Sequence, residues 1–399
     1  MSSYRINDFE FSADAPNFQT ILERAHSQKL RPSCLCCPAH PKMYVALIGG
    51  EYYLKRMPGT GHAHDPGCAS FDPPPELSGL GHVAGAAIVT DDAGDTTLRL
   101  DFSLSMRGGS SVSPAPGGDT ETTSVVANPK KLSLLGTLHY LWDAAGLTKW
   151  RPQWQRRNWW IIHRELTGVA QNTGTKAQPF ASVLMVPPVY NHERRDELAL
   201  ERRSWLRGLA PQRGKPVPLG IVVAEFKLIE PSQYGRKLKM KHLPDFAFFM
   251  DDDLAARFDR LFADKIHAIE AAGDGHLILI ATFSIRNNYA EIREIAGMTV
   301  NEHWIPFDGD REHQLVEALK DRAYAKSLKY NLQSSAPVAN ALLLDTGAPI
   351  ALYVPPDGLS ADDEETLHDI AEDGVYQPWF WPADEIEMPA LPAPAGGGH

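Results

Sequence analysis

The chain has 399 residues, 43% of them hydrophobic and 22% charged, and its formal net charge is −11. This length exceeds what one hydrophobic core usually supports, so we expect two or three domains. The composition excludes a membrane-spanning helix, because no apolar run approaches the roughly 18 residues that such a helix needs. The net negative charge limits any nucleic-acid contact to local basic patches.

The N-terminus predicts a cytoplasmic protein. Its residues MSSYRINDFEFSADAPNF place acidic side chains early and contain no apolar stretch of the kind found in secretory signals. Three of the four cysteines cluster at Cys34, Cys36 and Cys37. In a reducing compartment such a cluster favours metal ligation over disulfide bonds.

Residues 1–106 are predicted to form a zinc-ribbon-like β module. Two β-prone runs flank Gly49 and Gly50, which indicates a β-hairpin. A second β-rich stretch follows, with HVAGAAIV and TLRLDFSLSM. Metal ligands at both ends of the hairpin would hold such a small module together.

The predicted metal site has three thiolates and one imidazole. One C-x-x-C pair precedes the hairpin, and a histidine and a cysteine four positions apart follow it, so the predicted ligands are Cys34, Cys37, His64 and Cys68. Four protein ligands leave no open position for water, so the sequence predicts a structural Zn²⁺. Three further candidates leave the ligand set open: Cys36, His62 and His40. If they do not bind the metal, Cys36 is a small buried residue, and the two histidines are surface groups or groups that support the ligands.

The remainder of the chain predicts an α+β or α/β multidomain protein. A glycine- and serine-rich segment, 107–130, is predicted to be a flexible linker. A tryptophan-rich helical and α/β domain is predicted over 131–300, because leucines recur at helical spacing and are followed by apolar runs such as IVVAEFKLI and HLILIATFSI. A C-terminal α/β domain is predicted over 301–390, and a disordered tail over 391–399.

Two segments combine basic and aromatic residues in a way that suits nucleic-acid binding. The first, LTKWRPQWQRRNWWIIHR, contributes Lys149, Arg151, Arg156, Arg157 and Trp159. The alternative is that its indoles are buried in the core while its arginines pair with carboxylates. In the second, GRKLKMKH, strand alternation would place Lys237, Lys239 and Lys241 on one face, which is either a phosphate-binding stripe or a solvated edge strand.

A nuclease is the alternative function. Glu225 and Lys227 form an E-x-K tripeptide, which restriction-type nucleases use to hold Mg²⁺, and Asp245 is the nearest further carboxylate. Asp245 follows the tripeptide, whereas that fold usually places this residue before it.

The C-terminal segment has a second nuclease-like outline. Glu312 is predicted on a helix and Asp345 at the end of a strand that leads into a hairpin. The E-x-K is missing. Leu352 and Val354 stand in its place, and their side chains cannot bind a hard cation. This outline predicts a degenerate restriction-endonuclease-like fold.

Several strings together resemble a bacterial family catalogued as domain of unknown function 1173. They are CLCC, YLKRMPGTGHAHDPGC, SFDPPPELSGLG, LLGTLHYLWDAAGLTKW, KHLPDFAFFMDDDL and EHWIPF, and they span nearly the whole chain. Genes of this family tend to lie on plasmids and integrative elements, so the resemblance implies a mobile-element context. It implies no catalytic residue.

Three functions therefore follow as hypotheses. The first is a zinc-containing accessory protein of a mobile element that binds nucleic acid, or a protein component of that element, and catalyses nothing. The second is a metal-dependent nuclease built on Glu225, Lys227 and Asp245. The third is a non-catalytic protein scaffold.

Overall fold

The computed structural model has a mixed α+β fold, as the sequence predicts. It describes residues 3–395 except for 49, 58, 92–93, 107–127, 155–156, 234, 287–288, 334–335, 357–358 and 360. Most of the predicted linker, 107–130, therefore lies outside the described residues. None of the helices in the described part of the chain is long and apolar enough to span a membrane.

The helices and strands alternate in short runs along the chain. The helices are α1 Phe18–Ser27, α2 Leu80–Val83, α3 Leu134–Ala144, α4 Trp159–Gln171, α5 Arg195–Arg207, α6 Asp252–Ala272, α7 Asp310–Ala318 and α8 Ala361–Glu372. The strands are β1 Ser3–Ile6, β2 Phe9–Ser12, β3 Ser33–Cys34, β4 Met43–Ile48, β5 Glu51–Arg56, β6 Ile88–Thr90, β7 Thr96–Leu98, β8 Ser105–Met106, β9 Lys149–Trp150, β10 Thr173–Thr175, β11 Leu184–Met185, β12 Val217–Pro218, β13 Gly220–Pro231, β14 Arg236–Met240, β15 Phe248–Met250, β16 His276–Arg286, β17 Tyr289–Val300, β18 Pro306–Phe307, β19 Tyr324–Lys326, β20 Ala341–Leu343, β21 Ile350–Tyr353 and β22 Gln377–Phe380.

A closed five-stranded barrel forms the centre of the molecule. Its strands pair in the order β13-β14-β15-β17-β16, and β16 pairs back with β13 to close the ring. The pairing of β15 with β17 is parallel, and the others are antiparallel. Strand β13 reaches two neighbours because its first half pairs with β16 and its second half with β14, with a register shift between Phe226 and Leu228. Such a bulge bends a strand and lets a sheet close.

Helix α6 covers the barrel interior. Its start is fixed by the Asp251 side chain, which accepts a hydrogen bond from the backbone N–H of Leu254, and its end by Gly273 in the left-handed conformation. Phe258 and Phe262 on this helix pack into the same apolar cluster as the inward-facing residues of the strands. The interior is therefore filled by side chains.

The outer face of β13 and β16 packs against α3 and α4. Val223 and Ile280 point outward and share a core with Leu138 of α3 and Ile162 of α4. Strand alternation explains this division, because neighbouring residues of one strand face opposite sides of the barrel wall. The uninterrupted apolar runs of the sequence thus correspond to strands buried on both faces.

A second, five-stranded sheet lies in the C-terminal part of the chain. Its order is β22-β21-β20-β19-β9; β19, β20 and β21 form an antiparallel meander, and β22 is parallel to β21. Its edge strand β9 comes from far earlier in the chain, and Trp150 of that strand donates from Nε1 to the carbonyl of Lys320 at 2.7 Å. This pairing crosses the predicted domain boundary at residue 300.

Part of the predicted disordered tail makes contacts. The Arg322 side chain donates to the carbonyl of Pro392 at 2.8 Å, and the backbone N–H of Ala395 donates to the carbonyl of Asp345 at 2.7 Å. Leu391 packs against the core of the second sheet. The composition of the tail did not indicate these two hydrogen bonds, because the tail contributes only backbone groups to them.

His139 on α3 predicts an acid-sensitive fold. Its Nδ1 accepts a hydrogen bond from the backbone N–H of Tyr330 at 2.9 Å, and burial lowers its pKa to about 3. The unfolded chain has a histidine pKa of about 6.5, so below that pH the unfolded state binds a proton that the folded state does not. Stability should therefore be complete above about pH 6.5 and fall as the pH drops toward 3, by up to about 1.4 kcal/mol per pH unit.

A His139→Asn variant tests this prediction, because the asparagine Oδ1 occupies the place of Nδ1, can accept the same hydrogen bond from Tyr330 and does not titrate. Urea-unfolding midpoints of wild type and variant should converge between neutral pH and about pH 5. Midpoints that fall in parallel would show that His139 is not the titrating group.

Candidate metal centre

The N-terminal module combines a small sheet, a helix and a hairpin. Strands β2, β1 and β3 form an antiparallel sheet, and β4 and β5 form the hairpin that the sequence predicts. Leu22 of α1 and Met43 of β4 are buried in one apolar cluster that also contains Cys34. The cysteine-rich segment is thus part of the core of this module.

Four side chains of the module converge on one point. Their ligand atoms all lie within 4.8 Å of one another, and they belong to Cys34, Cys36, His64 and Cys68. Cys34 Sγ is 3.8 Å from Cys68 Sγ, while His64 Nδ1 is 3.5 Å from Cys36 Sγ and 3.8 Å from Cys68 Sγ. Cys34 and His64 are only 1% and 3% exposed. This group can hold a metal ion.

The local fold explains why these residues meet. Cys34 is the last residue of β3 and lies opposite Tyr4 of β1. The backbone N–H of Leu35 donates to the carbonyl of Ser3 at 3.0 Å, and the bend that follows places Cys36 next to His64. His64 comes directly after a single turn of 3₁₀ helix, and a turn with Cys68 N–H donating to the carbonyl of Asp65 at 2.8 Å brings the last thiol back.

The group differs from the predicted ligand set in one residue. Cys37, predicted as a ligand from its C-x-x-C spacing, lies outside it and directs its thiol to the carbonyl of Ala63 at 3.4 Å. Cys36 takes its place. The other candidates, His40 and His62, are also outside the group, and His62 is exposed.

The pKa values of the thiols differ, and they show which sulfur of the group ionises most readily. A hydrogen bond from Cys34 lowers the pKa of Cys68 to about 5, and that same contact raises the pKa of Cys34, while burial raises the pKa of Cys36 to about 11. The backbone N–H groups of Asp65 and Ser70 donate to Cys36 Sγ and Cys68 Sγ at 3.5 and 3.4 Å. These donors favour ionised sulfur, so a cation that displaces the remaining protons would fit the donor set.

Two residues predicted to bind nucleic acid instead connect this module to the rest of the chain. Lys149 donates to the carbonyl of Phe71 at 2.5 Å and forms an ion pair with Asp72. Arg151 donates to the carbonyl of Cys68 at 3.3 Å. Both side chains therefore hold the loop that carries the last cysteine.

Two others from the same segment are buried. Arg157 is 8% exposed, and its guanidinium donates to the carbonyls of Leu147, at 2.6 Å, and Lys149. Burial lowers its pKa to about 10. Trp159 is also buried and donates to the carbonyl of Pro187 at 2.7 Å. These two side chains are therefore not exposed to a ligand. They follow the alternative given for this segment, in which the indoles are buried and the arginines are paired internally. Arg156 lies outside the described residues.

The second basic segment is arranged as its alternation predicts. Leu238 and Met240 of β14 face the barrel interior, and Lys237 and Lys239, with Lys241 just after the strand, face outward. Next to them, Phe249 of β15 lies opposite Lys237, with the ammonium 5.9 Å from the ring centroid. The Phe249 ring is in turn 5.2 Å from that of Tyr289 on β17. Lysines and aromatic rings thus share one outer face, which we call the lysine face.

The candidate nuclease residues are not brought together. Glu225 is 4% exposed and accepts from Lys241 Nζ and His276 Nδ1, at 2.5 and 2.6 Å. Lys227 lies exposed at the bulge of β13, and Asp245 pairs with Arg202 at 2.7 Å. Lys227 falls at the register shift between Phe226 and Leu228, and Glu225 has Lys241 and His276 as its hydrogen-bond donors instead. No local sequence pattern connects His276 with Glu225, because the two residues meet through the pairing of β13 with β16.

The carboxylates of the second nuclease-like outline also form internal ion pairs. Glu312 on α7 pairs with Lys326 at 3.0 Å, and Asp345 accepts two hydrogen bonds from Arg322. After α7 the chain forms the β19–β21 meander, α8 and the parallel strand β22.

The comparisons with known proteins identify a family. A family model described as "Protein of unknown function (DUF1173)" matches residues 4–383, which is nearly the whole chain. No curated protein and no solved structure matches it. The matched segment contains the metal-binding group, the barrel and the second sheet, and the chain therefore belongs to the DUF1173 family.

Proposed function

We propose that this protein binds single-stranded nucleic acid on the lysine face of its barrel, and that a structural zinc ion stabilises its N-terminal module. The observation that carries the binding proposal is the joint position of Lys237, Lys239, Phe249 and Tyr289 on one outer face. In an acidic protein such a local basic patch is what phosphate contact requires.

The barrel topology supports the same conclusion. A closed barrel with strand order 1-2-3-5-4-1 and a helix between its third and fourth strands is the arrangement of the OB-fold. OB-folds bind oligonucleotides on the face of their second and third strands, which correspond here to β14 and β15. This support is an analogy of fold, and the side chains on that face supply the chemistry.

Aromatic rings on the face favour a single strand over a duplex. Unpaired bases can stack on Phe249 and Tyr289, whereas paired bases already stack on one another. Lys237 and Lys239 would then contact the phosphates that run alongside. Glu230, opposite Lys237 on β13, limits the positive charge on one side of this path.

The lysine face is tested by substituting Lys237 and Lys239 with alanine together. Affinity for a fluorescent single-stranded oligonucleotide should fall, and the log–log salt dependence of binding should become shallower by roughly 0.7 per lost phosphate contact. Phe249→Ala should weaken binding by about 1–3 kcal/mol without changing the salt slope. Fluorescence anisotropy at several salt concentrations measures both effects.

Lys176 and Lys215, two exposed lysines outside β14, β15 and β17, provide the matched control. The double variant Lys176→Ala, Lys215→Ala has the same net charge as the test variant and should bind like wild type. Equal loss of affinity in both double variants would show that only overall charge matters, and would reject the lysine face as the site.

The zinc proposal rests on the distances within the metal-binding group. Tetrahedral zinc with Zn–S of about 2.3 Å and Zn–N of about 2.0–2.1 Å places two sulfurs about 3.8 Å apart and a sulfur and a nitrogen about 3.6 Å apart. The separations of 3.8 Å between Cys34 Sγ and Cys68 Sγ, and of 3.5 and 3.8 Å from His64 Nδ1 to Cys36 Sγ and Cys68 Sγ, agree with these values. Three sulfurs with one imidazole suit zinc better than a harder cation. Elemental analysis of purified protein should find one zinc per chain.

A further inference from the structure

We propose that His276 is a general base that cleaves RNA bound along the lysine face, with Glu225 positioning its ring and Lys241 assisting at the phosphate. This inference rests on the proposed binding of nucleic acid.

The geometry of His276 is that of an oriented base. Its Nδ1 lies 2.6 Å from a carboxylate oxygen of Glu225, whose side chain is 5% exposed, while the histidine itself is 22% exposed. Burial raises the pKa of Glu225, but the hydrogen bonds from His276 and Lys241 hold it below its usual value, so the carboxylate is ionised. An ionised carboxylate at Nδ1 keeps the proton there and leaves Nε2 as an acceptor. Within the described part of the chain, Nε2 has no hydrogen-bond partner.

The ring is held from a second side. It stacks on Trp304 with a centroid distance of 4.3 Å and an interplanar angle of 15°. Trp304 has φ of +62°, a costly conformation for a large side chain, and its carbonyl accepts a hydrogen bond from Trp142 Nε1 at 3.1 Å. The indole itself is held by packing, because Trp304 is 4% exposed and its ring centroid lies 5.7 Å from that of Trp159. It restricts the imidazole to one plane.

Lys241 connects this dyad to the lysine face. Its ammonium donates to the same oxygen of Glu225 as His276 does, at 2.5 Å, and remains 46% exposed. It follows Lys237 and Lys239 on the outward side of β14. A strand whose phosphates follow these lysines would bring one phosphate to Lys241, beside His276.

A base and a cation suffice for one reaction of nucleic acids. RNA carries its own nucleophile, the 2′-hydroxyl next to each phosphate. His276 Nε2 takes the 2′-hydroxyl proton as the 2′-oxygen bonds to phosphorus; the bond from phosphorus to the 5′-oxygen breaks, and that oxygen takes a proton from the Lys241 ammonium. Lys241 recovers a proton from the His276 imidazolium through water, so the products are a 2′,3′-cyclic phosphate and a 5′-hydroxyl.

The experiment compares a fluorescent RNA oligonucleotide with a DNA of the same sequence. We expect wild-type protein to bind both and to cleave only RNA, with cyclic phosphate ends detected by mass spectrometry. His276→Ala should lower the cleavage rate by roughly 10²–10⁴-fold while leaving RNA affinity unchanged, and added imidazole should restore part of the rate. Glu225→Gln should lower the rate and retain affinity, with Glu225→Asp intermediate.

His267, an exposed histidine on α6 whose side chain is 88% exposed, gives the matched control. His267→Ala purified in parallel should cleave like wild type. RNA that is bound but stays intact, or cleavage that survives in His276→Ala, would overturn the inference while leaving the binding proposal standing. Failure to bind either oligonucleotide would instead reject the proposed function itself.

Discussion

Replacing Cys36 with serine should abolish stoichiometric zinc binding, whereas the same substitution at its neighbour Cys37 should leave zinc binding intact. Cys36 Sγ is 3.5 Å from His64 Nδ1, while Cys37 Sγ donates to the carbonyl of Ala63. Removing a ligand should cost more affinity than the roughly 10–100-fold lost with an outer-shell partner. Elemental analysis and competition with a chromogenic zinc chelator measure the effect.

The two variants also separate metal loss from sulfur loss, because each removes one thiol from the same turn. Zinc binding to small modules contributes about 10–16 kcal/mol, which is also folding energy. Cys36→Ser should therefore expose the N-terminal module to proteolysis, and Cys37→Ser should not. If Cys37→Ser loses its zinc and Cys36→Ser retains it, the C-x-x-C ligand set predicted from spacing is correct and the arrangement of the group described above is not.

Replacing Glu312 with glutamine should destabilise the C-terminal sheet by about 3–5 kcal/mol, the cost of leaving a buried charge unpaired. Glu312 and Lys326 are 6% and 5% exposed in their side chains, and their charged atoms lie 3.0 Å apart. The amide keeps the shape of the carboxylate and its oxygen can still accept from Asn340, but its NH2 group then faces the backbone N–H of Asp308, from which Glu312 Oε2 accepts, so the change removes one charge and one hydrogen bond. Urea unfolding followed by tryptophan fluorescence reports on it, because Trp150 and Trp381 lie in this core.

An exposed ion pair serves as the control. Glu10 and Arg5 lie 2.9 Å apart but are 59% and 39% exposed, so Glu10→Gln should change stability by no more than about 1 kcal/mol. Adding Lys326→Met to Glu312→Gln should recover part of the loss, because no unpaired ammonium then remains. A single Glu312→Gln variant as stable as Glu10→Gln would mean that the pair contributes no more than a surface one.

Local patterns in the sequence predicted local structure well. The glycine pair predicted the β4–β5 hairpin, and period-two alternation placed Lys237 and Lys239 on the outward face of β14. The N-terminus of α6 is also set locally, by its cap residue Asp251. Each of these features depends on residues within a few positions of one another.

Features that depend on distant pairing were not predictable in the same way. The C-x-x-C spacing favoured Cys37, but the bend that follows β3 brings Cys36 into the metal-binding group instead. Arg157 and Trp159 belong to a segment whose composition is typical of nucleic-acid binding, but both side chains are buried in the folded protein. The barrel could not be predicted, because it depends on the pairing of β13 with β16 and the sequence of neither strand specifies its partner.

The edge strand of the C-terminal sheet has a consequence for biosynthesis. Trp150 is 170 residues ahead of Lys320, whose carbonyl it binds, so it leaves the ribosome long before its partner exists. The first half of the chain must keep this strand accessible until translation is nearly complete, and ordering so long a loop slows folding. The indole of Trp150 and the open edge of the sheet are therefore the groups that a chaperone would meet on the nascent protein.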